Sequence, residues 1–254
     1  MCLQRPWRFP KGVLAILKVT ILLPTYKRPI LIRRSLDSIF NQTLEDWELI
    51  VIENGSNEEM HESYQMVIDD LKDMHDVSWL TFDWASLPRA LNEGLERAKG
   101  EYLSVMEDDD EWEPQFLEKM SSHLDNCTCG MVYCKQLELD PSGSRITAGI
   151  AIPKRFGIAE LIKNNFIGLP MCMYRTSILQ KIGFDEKAGI ATDWIAHCMI
   201  YRYAEIHALN HTLVTHYWHP EGDTPNYCIT EKDETRRYTM LHRKYLAEGK
   251  FDPQ

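Results

Sequence analysis

Between Val19 and Met106 the chain repeats one pattern, a short apolar run followed by a longer stretch with helical spacing. Val19 to Leu23, Trp47 to Ile52, Val77 to Phe82 and Tyr102 to Met106 read as strands, the first stopped by Pro24. Between them, Arg28 to Gln42 carries Ile30, Leu31, Leu36, Ile39 and Phe40 at helical spacing, Asn57 to Asp73 is a polar helix, and Pro88 to Lys99 is a third. Repeated strand–helix units of this length demand right-handed crossovers and a mainly parallel sheet flanked by helices, so the expected class is α/β. Open sheets of this kind bind ligands beyond the carboxyl ends of their strands. The chain contains no Gly-x-Gly-x-x-Gly fingerprint and no Walker-type loop, which disfavours dinucleotide-binding and P-loop folds.

At the end of the fourth expected strand comes an acidic run, Glu107-Asp108-Asp109-Asp110, followed by Pro114 where a helix can open. Carboxylates crowded at a strand end repel one another unless something cationic sits among them. Hard oxygen donors at this density suit Mg²⁺ or Mn²⁺, which can bridge phosphate oxygens. A calcium EF-hand loop is excluded, because Trp112 and Glu113 occupy positions that need an oxygen ligand and a glycine.

A chain of 254 residues with 44% hydrophobic content can bury a substantial core. Its formal charge of −10 argues against nucleic acid as a partner, since no basic stripe offsets it, but suits a site where a metal supplies the positive charge. Seven cysteines, Cys2, Cys127, Cys129, Cys134, Cys172, Cys198 and Cys228, form no pair-and-pair zinc spacing. Their odd number and the lack of a signal-peptide pattern point to reduced thiols in a cytoplasmic protein, with Cys127 and Cys129 read as ordinary cysteines rather than a redox pair. No apolar run reaches the roughly 18 residues of a membrane span. Arg5, Trp7, Arg8, Phe9 and Lys11 give the leading segment a composition that can rest on an anionic membrane surface, so a peripheral contact at the inner face of a membrane is retained beside a loosely packed terminus.

After Ser121 the regular alternation stops. Gly130 to Leu139 alternates like an antiparallel strand, and Asp140-Pro-Ser-Gly143 is a turn signal. Ile158 to Lys163 reads as helical, Pro170 to Tyr174 as extended, and Ala188 to Tyr203 as a helix with Trp194, Ile195, Cys198 and Met199 on one face. A polar helix from about Glu231 to Glu248 closes the chain. The expected organisation is a short extension over residues 1–17, a ligand-binding half over 18–110 and an acceptor half over 111–254, together one continuous domain.

Several segments together resemble the inverting family-2 glycosyltransferases of GT-A fold, among them a spore-coat glycosyltransferase type. They are Val19-Thr-Ile-Leu-Leu-Pro-Thr-Tyr-Lys-Arg-Pro29, Gln42-Thr-Leu-Glu-Asp-Trp-Glu-Leu-Ile-Val-Ile-Glu-Asn-Gly-Ser56, Ala90-Leu-Asn-Glu-Gly94 with Ala98-Lys-Gly-Glu-Tyr102, the acidic run, Gly183-Phe-Asp-Glu186 and Thr192-Asp-Trp194. Each is weak alone; their order and spacing from Val19 to about His219 are specific. The resemblance implies a mainly parallel nucleotide-binding sheet, a smaller mixed acceptor-side half, and a cytoplasmic enzyme of surface glycan or polysaccharide synthesis. Its donor would be a UDP- or dTDP-linked sugar and its acceptor a glycan or lipid-linked hydroxyl.

The same resemblance assigns roles. Pro24, Thr25, Tyr26 and Arg28 match the loop that holds the nucleoside, where a Tyr can stack on a base. Glu53 stands where the family has an Asp that meets uracil or ribose, and Asn92 helps shape the nucleotide pocket. In the family's Asp-x-Asp-Asp pattern Glu107 replaces the first Asp, Asp108 follows it on the nucleotide side, Asp109 is the direct ligand of Mn²⁺ or Mg²⁺, and Asp110 is the second choice. His216 and His219, in His216-Tyr-Trp-His-Pro220, match a position that meets the metal or diphosphate, with His219 taken as the ligand. Asp193 corresponds to the acceptor-side carboxylate, the general base, with Thr192 replacing the Glu before it. Two other classes share parts of this outline. A sugar nucleotidyltransferase would carry a glycine-rich phosphate loop after the first strand, where this chain has none. A non-catalytic sugar-binding relative would tolerate the departures at Glu53, Glu107 and Thr192.

Overall fold

The computed structural model describes residues 17–74, 76–140, 142–146, 161–162 and 165–218. The expected leading segment, the 158–163 helix as a whole, His219 and the closing helix lie outside the described residues. Four parallel strands form one side of an eight-stranded sheet: β1 (Val19–Thr25), β2 (Trp47–Asn54), β3 (Val77–Phe82) and β4 (Tyr102–Val105), in the order β3-β2-β1-β4. Helices α1 (Ile32–Phe40), α2 (Glu58–Leu71) and α3 (Leu87–Arg97) connect them. Gly94 lets α3 approach this sheet closely, because a Cβ there would lie 2.7 Å from Leu22 Cδ2 and 2.8 Å from Ile52 Cδ1.

Pro24 does not end β1, which runs on through Thr25 in register with Ile52 and Glu53 of β2. Pairing with β4 stops at Leu22 and Val105, so Pro24 lies where one flank of the strand is already open and its missing N–H leaves no ladder bond unmade. The carboxyl ends of β1 and β2 thus extend beyond the point where β4 leaves.

The sheet then changes character. Beyond β4 the order continues β7 (Cys172–Arg175), β6 (Met131–Leu139), β8 (Ile206–Tyr217), β5 (Glu111–Trp112). β7 is antiparallel to both β4 and β6, and β5 is antiparallel to β8. The alternation of β6 suggested antiparallel partners only, yet it pairs parallel to β8 as well. β8, a twelve-residue strand, was not expected at all. Its alternation is diluted by the polar stretch Asn210-His-Thr212, which crosses the irregular part of the β6 register.

Helices α4 (Phe116–Asp125), α5 (Thr176–Ile182) and α6 (Thr192–Tyr203) complete the described fold. α6 differs from the one-sided helix expected: every residue from Thr192 to Ile200 is buried, so it is embedded in the protein rather than laid on its surface. No described helix is long and apolar enough to cross a membrane. The expectation of reduced thiols is corrected at one place, because Cys127 and Cys129 are joined as a disulfide, while Cys134, Cys172 and Cys198 are buried and outside any disulfide. The two sulfurs meet because the chain turns between α4 and β6, a reversal that residue spacing alone did not reveal.

Candidate active site

The acidic run follows β4, and its backbone is held by α1. Ser35 Oγ donates to the carbonyls of Glu107 (3.0 Å) and Asp110 (2.8 Å), and Arg34 donates to the carbonyl of Asp109 (2.7 Å). Trp112 N–H donates to Ser38 Oγ, and Gln42 bridges Glu113 and Leu117. Arg34, Ser35 and Ser38 of α1, and Gln42 just beyond it, were not among the expected site residues. Their signal was small: polar side chains inside a helix otherwise read for its apolar face.

The carboxylates divide into two groups. Asp108 faces the end of β1, where it accepts from Thr25 Oγ1 (2.7 Å), Tyr26 N–H (3.4 Å) and Arg28 (3.0 Å). Arg28 also pairs with Asp109, so the cation that crowded carboxylates require is, in part, this guanidinium. Burial pushes Asp108 up to about 6, opposed by Arg28. Asp108 therefore fastens the β1 loop to the acidic run, and its carboxylate is turned to that loop, whereas a direct nucleotide contact was expected.

Glu107, Asp110 and His216 form the second group, with donor atoms that all lie within 4.8 Å of one another. His216 Nδ1 is 2.8 Å from Asp110 Oδ1. β8 brings it there by pairing with β5, Thr215 opposite Glu111, and Tyr217 Oη donates to Glu111. Removal from water pushes Glu107 well above the usual carboxylate range; Asp110 and Asp109 push it further, His216 opposes, and Asp193 adds to the rise. Burial, more than its neighbours' charge, thus disfavours the ionised form of Glu107 while no cation is bound. Two carboxylates and an imidazole, with Asp109 adjoining, are a donor set that fits Mn²⁺ or Mg²⁺.

Near the end of β2, Glu53 is fully buried. Its Oε2 accepts from Trp79 Nε1 (3.0 Å) and Thr81 Oγ1 (3.3 Å) and pairs with His61 Nδ1 (2.8 Å). Its Oε1 is buried with no hydrogen-bond partner among the described residues. Such an atom costs stability unless a ligand or water meets it. Asn54-Gly55-Ser56 is more than a turn: Asn54 donates to the Thr25 carbonyl (3.0 Å) and accepts from Ser86 N–H (3.2 Å), locking the two loops together. Gly55 has φ +74°, and a Cβ there would sit 2.5 Å from the Tyr26 ring. The left-handed backbone and the ring's close approach both require glycine. Asn54→Ala would orphan both backbone groups, which is expected to cost about 1–3 kcal/mol and to lower the thermal unfolding midpoint of the purified chain. An unchanged midpoint would count against this role.

Asp193 lies in the first turn of α6 and is 8% exposed. Its carboxylate accepts from Trp194 N–H (2.6 Å) and from Asn165 Nδ2 (3.2 and 3.1 Å). Burial pushes its pKa up to about 6, opposed by the Asn165 hydrogen bond. Asn92, expected to help shape the nucleotide pocket, donates its amide to the Phe184 carbonyl and accepts from Phe184 N–H, both at 2.8 Å. It thereby clamps the Gly183-Phe-Asp turn.

Comparison with known proteins follows this geometry. The model of the family described as Glycosyl transferase family 2 matches residues 20–203. The chain is 23% identical over 211 residues to TuaG of Bacillus subtilis (strain 168), a glycosyltransferase assigned provisionally by its name to teichuronic acid biosynthesis, covering 79% of this chain and 82% of that protein. It is 24% identical over 183 residues to the GalNAc(5)-diNAcBac-PP-undecaprenol β-1,3-glucosyltransferase of Campylobacter jejuni, covering 70% of this chain but 59% of that one. In fold it is similar to S. aureus TarS 1-349 in complex with UDP-GlcNAc, with TM-score 0.69, 17% identity, and coverage of 89% of this chain and 66% of that one. It is also similar to the mannosyltransferase PcManGT of Pyrobaculum calidifontis in complex with GDP-Man and Mn²⁺, with TM-score 0.64, 16% identity and coverage of 99% and 70%. The parallel half, the mixed half and the helices around them are those of the GT-A fold.

Proposed function

The chain belongs to glycosyl transferase family 2 and is a glycosyltransferase; we propose that it moves a sugar, with inversion, from a UDP- or dTDP-linked donor to an acceptor hydroxyl, using Mn²⁺ or Mg²⁺. The observation that carries this reading is the convergence of Glu107 and Asp110, at the end of the parallel half, with His216 of β8, whose donor atoms all lie within 4.8 Å of one another. A family-2 site needs such a donor set beside the leaving diphosphate.

Glu107, Asp109, Asp110 and His216 would hold the divalent ion, which when bound offsets the charge that develops on the diphosphate. His219, outside the described residues, remains a further candidate ligand. Arg28, poised beside Asp108 and Asp109, supplies a positive charge close to the same phosphates. Tyr26, held by Gly55 and Asp108, offers a ring for the base, with Thr25 and Pro24 setting the loop beneath it. Asp193 accepts the proton of the attacking hydroxyl; a pKa near 6 leaves it largely ionised at neutral pH yet more basic than an ordinary aspartate. One carboxylate base and a diphosphate leaving group suffice for a single displacement, whereas a glycosidase would need a second, protonated carboxyl for a sugar leaving group.

The acceptor is read as a glycan or lipid-linked hydroxyl and the setting as surface polysaccharide synthesis, supported by the names of the relatives. A cytoplasmic location, where nucleotide-sugars are made, belongs to the same proposal. Turnover with a panel of nucleotide-sugars and Mn²⁺, with the product's anomeric configuration read by NMR, tests it; retained configuration would overturn the mechanism.

Glu53 gives a narrower test. Truncation to Ala would strand Trp79 Nε1 and Thr81 and so disturb the fold, whereas Glu53→Gln keeps the shape and removes the charge. If Oε1 meets the base or ribose, Glu53→Gln should weaken UDP binding about ten-fold, the scale of one charged hydrogen bond. Calorimetry giving unchanged affinity would mean that the base is read elsewhere.

A further inference from the structure

Away from the acidic run, four other donor atoms converge. His123 stands in the last turn of α4, Cys127 and Cys129 in the turn that follows, and His207 at the second residue of β8. Their ligand atoms all lie within 4.8 Å of one another, and His123 Nε2 is 3.0 Å from His207 Nδ1. We infer that Cys127 and Cys129, as thiolates, together with His123 and His207, form a structural Zn²⁺ site, of which the Cys127–Cys129 disulfide is the oxidised, metal-free form.

Three features carry this. The donor set is two sulfurs and two imidazole nitrogens, the soft-to-borderline combination that selects zinc. Around a tetrahedral zinc such atoms stand about 3.3–3.8 Å apart, given bond lengths of about 2.0–2.3 Å. In the oxidised form the four donor atoms already lie within 4.8 Å of one another, so with the disulfide reduced only small side-chain rotations separate them from those distances. The supporting contacts also fit. His207 Nε2 lies 3.1 Å from Glu205 Oε2, so this nitrogen carries the proton and Nδ1 turns its lone pair inward, the carboxylate–histidine arrangement that orients metal ligands. Finally, the backbone of the cysteine turn is held whatever its sulfurs do. Arg175 donates to the carbonyls of Leu124 (2.7 Å), Cys127 (2.6 Å) and Cys129 (2.9 Å).

A disulfide that closes a ring over one intervening residue removes little freedom from the unfolded chain. A metal held by α4, the turn and β8 ties together three segments. Four protein ligands leave no open position, so the site's role is structural. It pins the first residues of β8, the strand whose far end carries His216. Conversion between the two forms balances simply: a dithiol reductant supplies two electrons and two protons to make two thiols, and binding of Zn²⁺ releases both thiol protons to solvent.

The test uses the whole chain kept under a dithiol reductant and loaded with Zn²⁺ or, as a spectroscopic probe, Co²⁺. Cobalt bound through thiolates gives a sulfur-to-metal charge-transfer absorption that the oxygen donors of the acidic run cannot produce. The expected result is one such site per chain, displaced by Zn²⁺, with the band lost in Cys129→Ser and metal affinity reduced at least about ten-fold in His207→Ala. Chelation should lower the unfolding temperature of the reduced wild-type chain and leave that of His207→Ala unmoved. If Cys129→Ser does not fold, the wild-type cobalt spectrum and His207→Ala still decide. A reduced chain that shows no charge-transfer band with Co²⁺, or a Co²⁺ affinity undiminished in His207→Ala, overturns the inference.

Discussion

Asp193→Asn is expected to lower sugar transfer by at least about 10²-fold, the low end for general-base catalysis, while leaving donor binding nearly unchanged. Asparagine keeps the shape of the side chain, and its carbonyl oxygen in the place of Oδ1 can still accept from Trp194 N–H and from Asn165 while the second Asn165 contact, at Oδ2, is lost, so the start of α6 should hold. What it lacks is the capacity to take a proton. The pH dependence supplies a second reading of the same group. A base works only when deprotonated, and burial has raised this one to about 6. The acid limb of kcat/KM should therefore lie near pH 6, about two units above that of an ordinary aspartate at ~3.9, with activity falling about ten-fold per pH unit below it. The residual activity of Asp193→Asn should lack that limb. Near-normal turnover in the variant would remove Asp193 from the mechanism.

The second large effect concerns the metal. UDP is expected to bind at least about 10²-fold more tightly with Mn²⁺ than with chelator, since a cation bridging phosphate oxygens contributes several kcal/mol. Asp109→Ala and Asp110→Asn should each remove most of that gain by different routes. The first takes away the expected direct ligand and releases Arg28 from one of its two partners, and the second takes away the carboxylate that pairs with His216. Glu53→Gln, at the other end of the nucleotide, should weaken binding equally with and without metal. Calorimetry showing the same UDP affinity in chelator and in Mn²⁺ would refute the assignment.

Much of the parallel half was legible because its signals are local. Apolar runs of strand length, helical spacing between them and a carboxylate cluster at a strand end are properties of short segments. They placed β1 to β4 within a few residues. The boundaries that moved did so for tertiary reasons: β1 passes through Pro24 because β4 has already left its side, and the Asn54 turn is a lock because Thr25 and Ser86 lie on either side of it.

The mixed half resisted for the opposite reason. β8 finds its partners in β6 and β5, and no periodicity within Ile206–Tyr217 specifies either register. The sequence by itself determined the fold class and the acidic run, since residue type and order decide these, and the family resemblance supplied the candidate base. Only tertiary structure decided which atoms each residue touches. It gave the Asn92 amide to Phe184, turned Asp108 toward the β1 loop and Arg28, and carried His216 to Asp110 across 106 residues of chain. It likewise brought His207 to His123 and the two cysteines, a set with no sequence spacing to announce it. Side chains far apart in the chain acquire partners through strand register and helix packing, and those are properties of the whole fold.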